Sequence, residues 1–258
     1  MVPTRVDYAQ LAPNYDERYA VYGLNGIRDT LLAMVERERS EYVLEIGCGS
    51  GYWLEVILDR VTKVYGMDYS FSMLRLARQP GMSTRLTQGD AVWLPYASNS
   101  LDLVFCVNAI HHFGNPAGYI GEVMRLLRSG GNIAVFGPDP HNDASDWYVY
   151  RYFPEAHAFD LNRFPRWDEL GDLITQAGFT DVQFAKVDES CRFFNQDTVF
   201  EDPFLKKKMT SQLASLSDET YMEGIGRIRD AICTARMNGT PLGFRTDIPF
   251  YCLSASKP

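Results

Sequence analysis

Three features of this 258-residue chain carry chemistry by residue type and spacing. The first is Val43-Leu44-Glu45-Ile46-Gly47-Cys48-Gly49-Ser50-Gly51, an apolar run that ends in three alternating glycines. Glycines so placed let a backbone turn tightly and let a ligand approach it closely. The second is Asp68, 17 residues after Gly51, at the end of the apolar run Lys63 to Met67. A carboxylate at such a position can accept hydrogen bonds from both hydroxyls of a ribose. The third is His111 and His112, followed later by the aromatic segment Trp147-Tyr148-Val149-Tyr150-Arg151-Tyr152-Phe153-Pro154. Imidazoles titrate near neutral pH and can take a proton, and closely spaced rings suit the walls of a pocket for a planar or apolar molecule.

These groups act together only if the elements beneath them converge. From residue 42 short apolar runs alternate with helical periodicity, a pattern that predicts a parallel sheet covered by helices on both faces. Tyr42 to Ile46, Lys63 to Met67, Thr84 to Thr87, Leu101 to Val107, Asn132 to Phe136 and Asp181 to Val187 read as strands, with Thr246 to Ser254 as the last. Gly51 to Arg60, Phe71 to Arg78, Pro116 to Leu127 and Trp167 to Ala177 read as helices. In the third helix Asn115 is a good N-cap, Pro116 suits the first position, and Tyr119, Ile120, Val123, Met124 and Leu127 form one apolar stripe, with Ser129-Gly130-Gly131 ending it.

The expected fold is α/β: a doubly wound, mostly parallel, seven-stranded sheet of Rossmann-like kind, with a helical lid. The expected divisions are an N-terminal helical segment over 1–39, a ligand-binding core over 40–187, an inserted cover over 188–245 and a final core strand within 246–258. Within the cover, Ser217 would cap a helix to about Met237, stapled by Leu216 and Tyr221. Doubly wound sheets bind ligands at the carboxyl ends of their strands, where the glycine run and Asp68 both fall.

Composition excludes several partners. A formal charge of -8 and a pI near 5.1 oppose binding to a nucleic-acid backbone. The basic run Lys206 to Lys208 follows Glu201 and Asp202 and reads as a solvated helix face. The five cysteines include no CxxC pair, which predicts reduced thiols in a cytoplasmic protein. The start, MVPTRVDYAQLAP, lacks a signal-peptide core, and no segment approaches the ~18 consecutive apolar residues of a membrane span. The four histidines offer no zinc-type spacing, so no metal site is expected. The expected partner is a small molecule, with a homodimer left open.

A nicotinamide enzyme would share the layout, but its fingerprint places glycines as GxGxxG so that a helix terminus receives pyrophosphate. Here the glycines fall at 47, 49 and 51, Tyr52 takes the third fingerprint position, and no proton-relay Tyr-x-x-x-Lys is present. At this point the chain resembles the class I S-adenosylmethionine-dependent methyltransferases, whose first motif is an acidic residue followed by GxGxG. The likeness continues in order through Asp68-Tyr69-Ser70 with Met73, Leu74 and Ala77, then Gly89-Asp90-Ala91, Leu94-Pro95 and Ser100-Leu101-Asp102. Asn108-Ala109-Ile110-His111-His112-Phe113, Arg125 to Gly131 and Ala177-Gly178-Phe179 complete it, over about residues 40 to 187.

The resemblance implies S-adenosylmethionine as cofactor and assigns roles position by position. Gly47, Cys48, Gly49 and Gly51 would form the backbone bed for its methionine part, with Glu45 orienting the loop. Asp68 would hold the ribose, Tyr69 and Met73 would flank the adenine, and Asp90 with the Ala91 backbone would read its amino edge. Asn108 follows the fourth strand, and Tyr15 lies in an N-terminal lid; both would border the cofactor. Cys48 reads as a small filler rather than a reactive thiol.

Methyl transfer from a sulfonium is an in-line displacement, so alignment, exclusion of water and an unprotonated acceptor matter most. His111 or His112 would serve as a base where the acceptor needs one. Tyr19, Trp147 and Tyr150 would wall the acceptor, and Arg151 or Arg163 would pair with a carboxylate on it. The closest likeness is to the broad group that includes ubiquinone, menaquinone and natural-product methyltransferases, from whose compact members the stretch Asp188 to Arg245 departs. A second reading keeps the cofactor but turns the fold to a partner protein or to a non-methylating reaction such as a pericyclic closure.

Overall fold

The computed structural model describes residues 23–78, 85–142 and 146–258. In chain order its α-helices and strands are α1 (Asn25–Arg37), β1 (Tyr42–Ile46), α2 (Tyr52–Ile57), β2 (Lys63–Asp68), α3 (Phe71–Ala77), β3 (Arg85–Gln88), β4 (Leu101–Val107), α4 (Pro116–Leu126) and β5 (Leu127–Pro138). There follow β6 (Asp146–Trp147), α5 (Tyr148–Tyr152), α6 (Pro154–Arg163), α7 (Trp167–Gln176), β7 (Thr180–Asn195), α8 (Ser211–Ala214), α9 (Asp218–Met237) and β8 (Gly243–Ser256).

The sheet runs β3-β2-β1-β4-β5-β8, parallel from β3 to β5, with β8 antiparallel to β5. Strand β7 lies along one edge of β8, and short β6 extends the β5 position along the other. This eighth strand, β6, was not foreseen: two residues are too short to show a period of two. Among the described residues no helix is long and apolar enough to cross a membrane.

The pleat sorts the apolar residues of each strand onto two faces. Val43, Val64, Leu103, Phe105, Ala134, Phe136, Phe250 and Cys252 face one core with α1, α2, α5 and α9. Leu44, Met67, Val104, Cys106, Ile133, Val135, Tyr251 and Leu253 face the other, under α4 and α7. Full burial of Phe105 on the first face, or of Val135 on the second, contributes about 1.5–3 kcal/mol, so each face is a core in its own right.

Several boundaries differ from expectation for local reasons. Asn115 does cap α4, its side chain accepting from Gly118 N at 2.9 Å, but the helix stops at Leu126 and β5 begins at once. Leu127 turns extended to pair with Leu101, so the strand starts before Ser129-Gly130-Gly131. Strand β7 continues past Val187 to Asn195 because β8 starts early enough, at Gly243, to pair with it throughout. The expected cover over 188–245 therefore begins and ends as a two-stranded arm. The arm leads to α8 and α9; Ser217 caps α9 by accepting from Thr220 N at 3.0 Å. The expected linking stretch holds helices α5 and α6. Thr84 of the expected third strand lies outside the described residues, as do Tyr15 and Tyr19.

Helix α1 is tied to the arm. Leu24, at its N-cap, gives no side-chain bond, but Asp188 of β7 accepts from Gly26 N at 2.7 Å and Ile27 N at 3.3 Å. A carboxylate there both pairs orphan amides and complements the helix dipole. Asp188→Ala should cost about 1 kcal/mol and lower the melting midpoint by roughly 2–4 °C, with Asp188→Asn recovering part of the loss. Calorimetry showing no change in Asp188→Ala would mean the helix is held by its apolar face alone.

Candidate cofactor and acceptor site

Strand order reverses between β1 and β4, the kind of switch point at which doubly wound sheets bind ligands. The glycine run leaves β1 and folds back on β2: Met67 O accepts from Gly47 N at 2.7 Å and from Cys48 N at 3.0 Å. Asp68 Oδ2 then accepts from Gly49 N at 2.8 Å and its Oδ1 from Ser70 N at 2.7 Å. The loop demands glycine in two ways. Gly47, Gly49 and Gly51 have φ of 73°, 56° and 86°. A Cβ on Gly47 would also lie 2.5 Å from that of Ala109, at the end of the neighbouring segment.

Each Asp68 oxygen uses one lone pair on the backbone and keeps acceptor capacity for a ligand hydroxyl. Burial raises its pKa, and the amides of Ser70, Gly49 and Tyr69 oppose that rise. Glu45 lies beneath the loop, 1% exposed, with Oε2 unpaired. Its burial, reinforced by the Asp68 charge, pushes its carboxyl well above the usual carboxylate range. Cys48 is buried, and burial followed by the Glu45 and Asp68 charges pushes its thiol up, so it does not present a ready thiolate.

The remaining cofactor candidates divide. Tyr69 stands 61% exposed at the rim, whereas Met73, 1% exposed, is packed beneath α3. It shares one helical turn with Leu74 and Ala77, and all three are buried. Gly89 N donates to Asp68 O at 3.1 Å, which brings the Asp90-Ala91 turn beside the same strand end. Asp90 Oδ1 accepts from Val92 N at 3.3 Å, and Ala91 is buried. Asn108 ends β4 in a left-handed conformation, φ 51°, with its buried Oδ1 unpaired. A strained residue with a free acceptor at a strand end is a common site feature.

The two histidines lie in a single 3-10 turn, Ile110–His112, directly after β4. Their ring centres are 4.0 Å apart, and His111 stacks on Phe164 at 3.9 Å and 11°. His141 approaches from the next segment, its Nε2 3.1 Å from Phe164 O. Above them, Trp147 is buried and meets Tyr150 edge-on at 5.0 Å, and Tyr150 stacks on His157 at 4.3 Å.

The two expected arginines sit in different settings. Arg151 points to solvent, 3.9 Å from Asp146. Arg163 is buried, its Nε bonded to Asp160 Oδ1 at 2.8 Å. Asp160, Phe164, Ser211 and Gln212 belong to this region and were missed. The i,i+3 spacing of Asp160 and Arg163 on a helix opened by Pro154 was the available signal. In the section after β7 begins, Phe193 and Phe200 are exposed, whereas Phe204 is fully buried. Alternation along β7 explains the first, since Phe193 and the partly buried Phe194 take opposite faces.

A glycine turn and a carboxylate at the switch point of an α/β sheet stand where sheets of this kind bind ligands. Residues 44–135 match the family described as Methyltransferase domain. A demethylmenaquinone methyltransferase of Lactiplantibacillus plantarum is 26% identical over 206 residues, 68% of this chain and 87% of the relative. Among solved structures, phosphoethanolamine N-methyltransferase 2 of Haemonchus contortus, in complex with phosphomonomethylethanolamine and S-adenosylhomocysteine, has a TM-score of 0.53 at 16% identity, with 84% of this chain and 49% of that one covered. The [4+2]-cyclase SpnF has a TM-score of 0.54 at 20% identity, covering 90% and 80%. Over residues 44–135 the chain is thus similar to the methyltransferase domain family, and its fold is shared with solved methyltransferases.

The raised Glu45 carboxyl has a stability consequence with a definite sign. The folded protein keeps this proton where the unfolded chain releases it, so stability falls as pH rises from about 4.3 through the raised folded value. Glu45→Gln keeps the shape and cannot ionise. Its melting midpoint relative to the unsubstituted protein should increase with pH, the difference being larger at about pH 8 than at about pH 5. A pH-independent difference would show that the carboxyl ionises in the fold as it does in water.

Proposed function

We propose that the chain moves the methyl group of S-adenosylmethionine to a small planar acceptor held between the His111 turn and the aromatic segment from Trp147. The observation that carries this reading is the glycine turn closed onto Met67 and Asp68, which presents side-chain-free backbone beside a carboxylate with spare acceptor capacity. When bound there, the cofactor supplies an electrophilic methyl on a sulfonium.

The chain's own residues do the rest. The Gly47–Gly51 backbone receives the methionine part, with Glu45 bracing the loop, while Asp68 accepts from the ribose hydroxyls. Tyr69 covers the adenine from the rim, and Asp90 with the Ala91 backbone reads its amino edge. Asn108 offers its free carbonyl oxygen beside the turn. His111, fixed by Phe164, is oriented to hold or take the acceptor's proton, with His112 as its neighbour. Trp147 and Tyr150 wall the acceptor. Tyr15 and Tyr19 keep their proposed lid roles in residues outside those described.

The section 188–245 serves as the cover of this chamber. Its support is packing: Val199, Phe204, Leu205, Leu213, Ile225 and Ile228 share one core with Tyr148, Val149 and Phe153. Such a cover excludes water, which displacement at a sulfonium requires. Five unpaired thiols and the net charge of -8 fit a cytoplasmic enzyme of small-molecule biosynthesis rather than a nucleic-acid modifier.

Asp68→Ala removes a charged acceptor for two hydroxyls, each bond contributing about 1.5–3 kcal/mol. Affinity for S-adenosylhomocysteine, titrated by calorimetry, should fall by about tenfold or more in a folded variant. Equal affinity would mean the ribose is held elsewhere.

A further inference from the structure

The Arg163 guanidinium is built into a nearly complete polar network. Its side chain is 4% exposed; Nε donates to Asp160 Oδ1 at 2.8 Å and Nη2 to Ser211 Oγ at 2.7 Å. Asp160 Oδ2 accepts from the Tyr150 hydroxyl at 2.5 Å and from Gln212 Nε2 at 2.9 Å. Both carboxylate oxygens and two guanidinium nitrogens are engaged, but Nη1 is buried with no partner. An unpaired buried donor on a charged group is more costly than a neutral one, so the buried Nη1, with both its N–H groups open beside an engaged carboxylate, is a place where a ligand oxygen would be favoured.

Two aromatic contacts locate that donor. The guanidinium carbon lies 4.7 Å from the centre of the Phe159 ring and 5.3 Å from that of Phe164. Phe164 in turn stacks on His111 at 3.9 Å. The donor is therefore one aromatic ring away from the turn after β4, and Tyr150, through its hydroxyl and its contact with Trp147, links the cluster to the aromatic wall.

Charge selects the chemistry. Asp160 balances Arg163, so the pair is neutral. A ligand carboxylate would be an uncompensated buried anion there, whereas an uncharged oxygen would satisfy Nη1 without that penalty. We propose that Arg163 Nη1 is the specificity contact for an uncharged carbonyl oxygen carried on a planar acceptor. This rests on the reading of the chain as a small-molecule methyltransferase. It replaces the expectation that Arg163 pairs with a carboxylate.

The test uses the full chain saturated with S-adenosylhomocysteine and three probes of one size: 4-hydroxyacetophenone, 4-ethylphenol and 4-hydroxybenzoate. The ketone should bind by about tenfold tighter than either of the others, because a site with a buried donor rejects the analogue that cannot pair with it. Arg163→Lys, which keeps the charge beside Asp160 but loses the fork, should erase that preference. So should the charge-free Asp160→Asn/Arg163→Met double variant, included in case the lysine variant fails to fold. Both should bind S-adenosylhomocysteine as the unsubstituted protein does. Equal binding of ketone and ethylphenol, tighter binding of the benzoate, no binding of any probe, or a preference that survives both variants would overturn the assignment. Failure of the unsubstituted protein to bind S-adenosylhomocysteine would instead contradict the methyltransferase reading beneath it.

Discussion

The site depends on how the end of β2 holds the turn that leaves β1. One carbonyl, Met67 O, takes two amides of the glycine run, and one carboxylate, Asp68, takes a third. These bonds force the left-handed glycine conformations and leave no room for a Cβ at Gly47. The same carboxylate keeps acceptor capacity at the strand end, so the group that shapes the turn is also the one proposed to meet the ligand. Nothing else in the chain could substitute without shifting both strands, because β1 and β2 are paired from Tyr42 with Lys63 to Ile46 with Met67.

A second constraint governs the acceptor side. Beyond Pro138 the chain leaves β5, returns at β6 to the same edge of β8, and turns into the aromatic helix α5. Long strands β7 and β8 then carry the C-terminal section out and back over that helix. Its core is apolar, but two buried carboxylates are threaded through it: Asp160 with Arg163, and Asp202 with Arg192 and the Tyr148 hydroxyl. Buried ion pairs of this kind add little net stability, and removing one partner strands the other. They fix which way the helices pack and hence the shape of the chamber.

How much of this was legible follows from where the information resides. The central strands were readable because β1, β4 and β5 are buried on both faces and appear as unbroken apolar runs. The glycine turn and Asp68 were readable because backbone conformation and charge are properties of single residues. The burial of Met73 was not legible, because an apolar residue one turn into a helix looks the same whether a ligand or a core lies beside it. The settings of Arg151 and Arg163 were not legible because a sequence shows a charge but not its partner: Asp146 lies 3.9 Å from the exposed Arg151, and Asp160 bonds the buried Arg163. The extension of β7 to Asn195 was hidden because its pattern is set by pairing with β8, far along the chain.

The central claim is that these residues serve methyl transfer to a small molecule. Its most direct test is incubation of the full chain with S-adenosylmethionine labelled in the methyl group and a small-molecule extract, followed by mass spectrometry. The account predicts label in a small organic acceptor, with one S-adenosylhomocysteine released for each label gained. Tight cofactor binding without any label leaving the cofactor, or label found only in protein or nucleic acid, would contradict it.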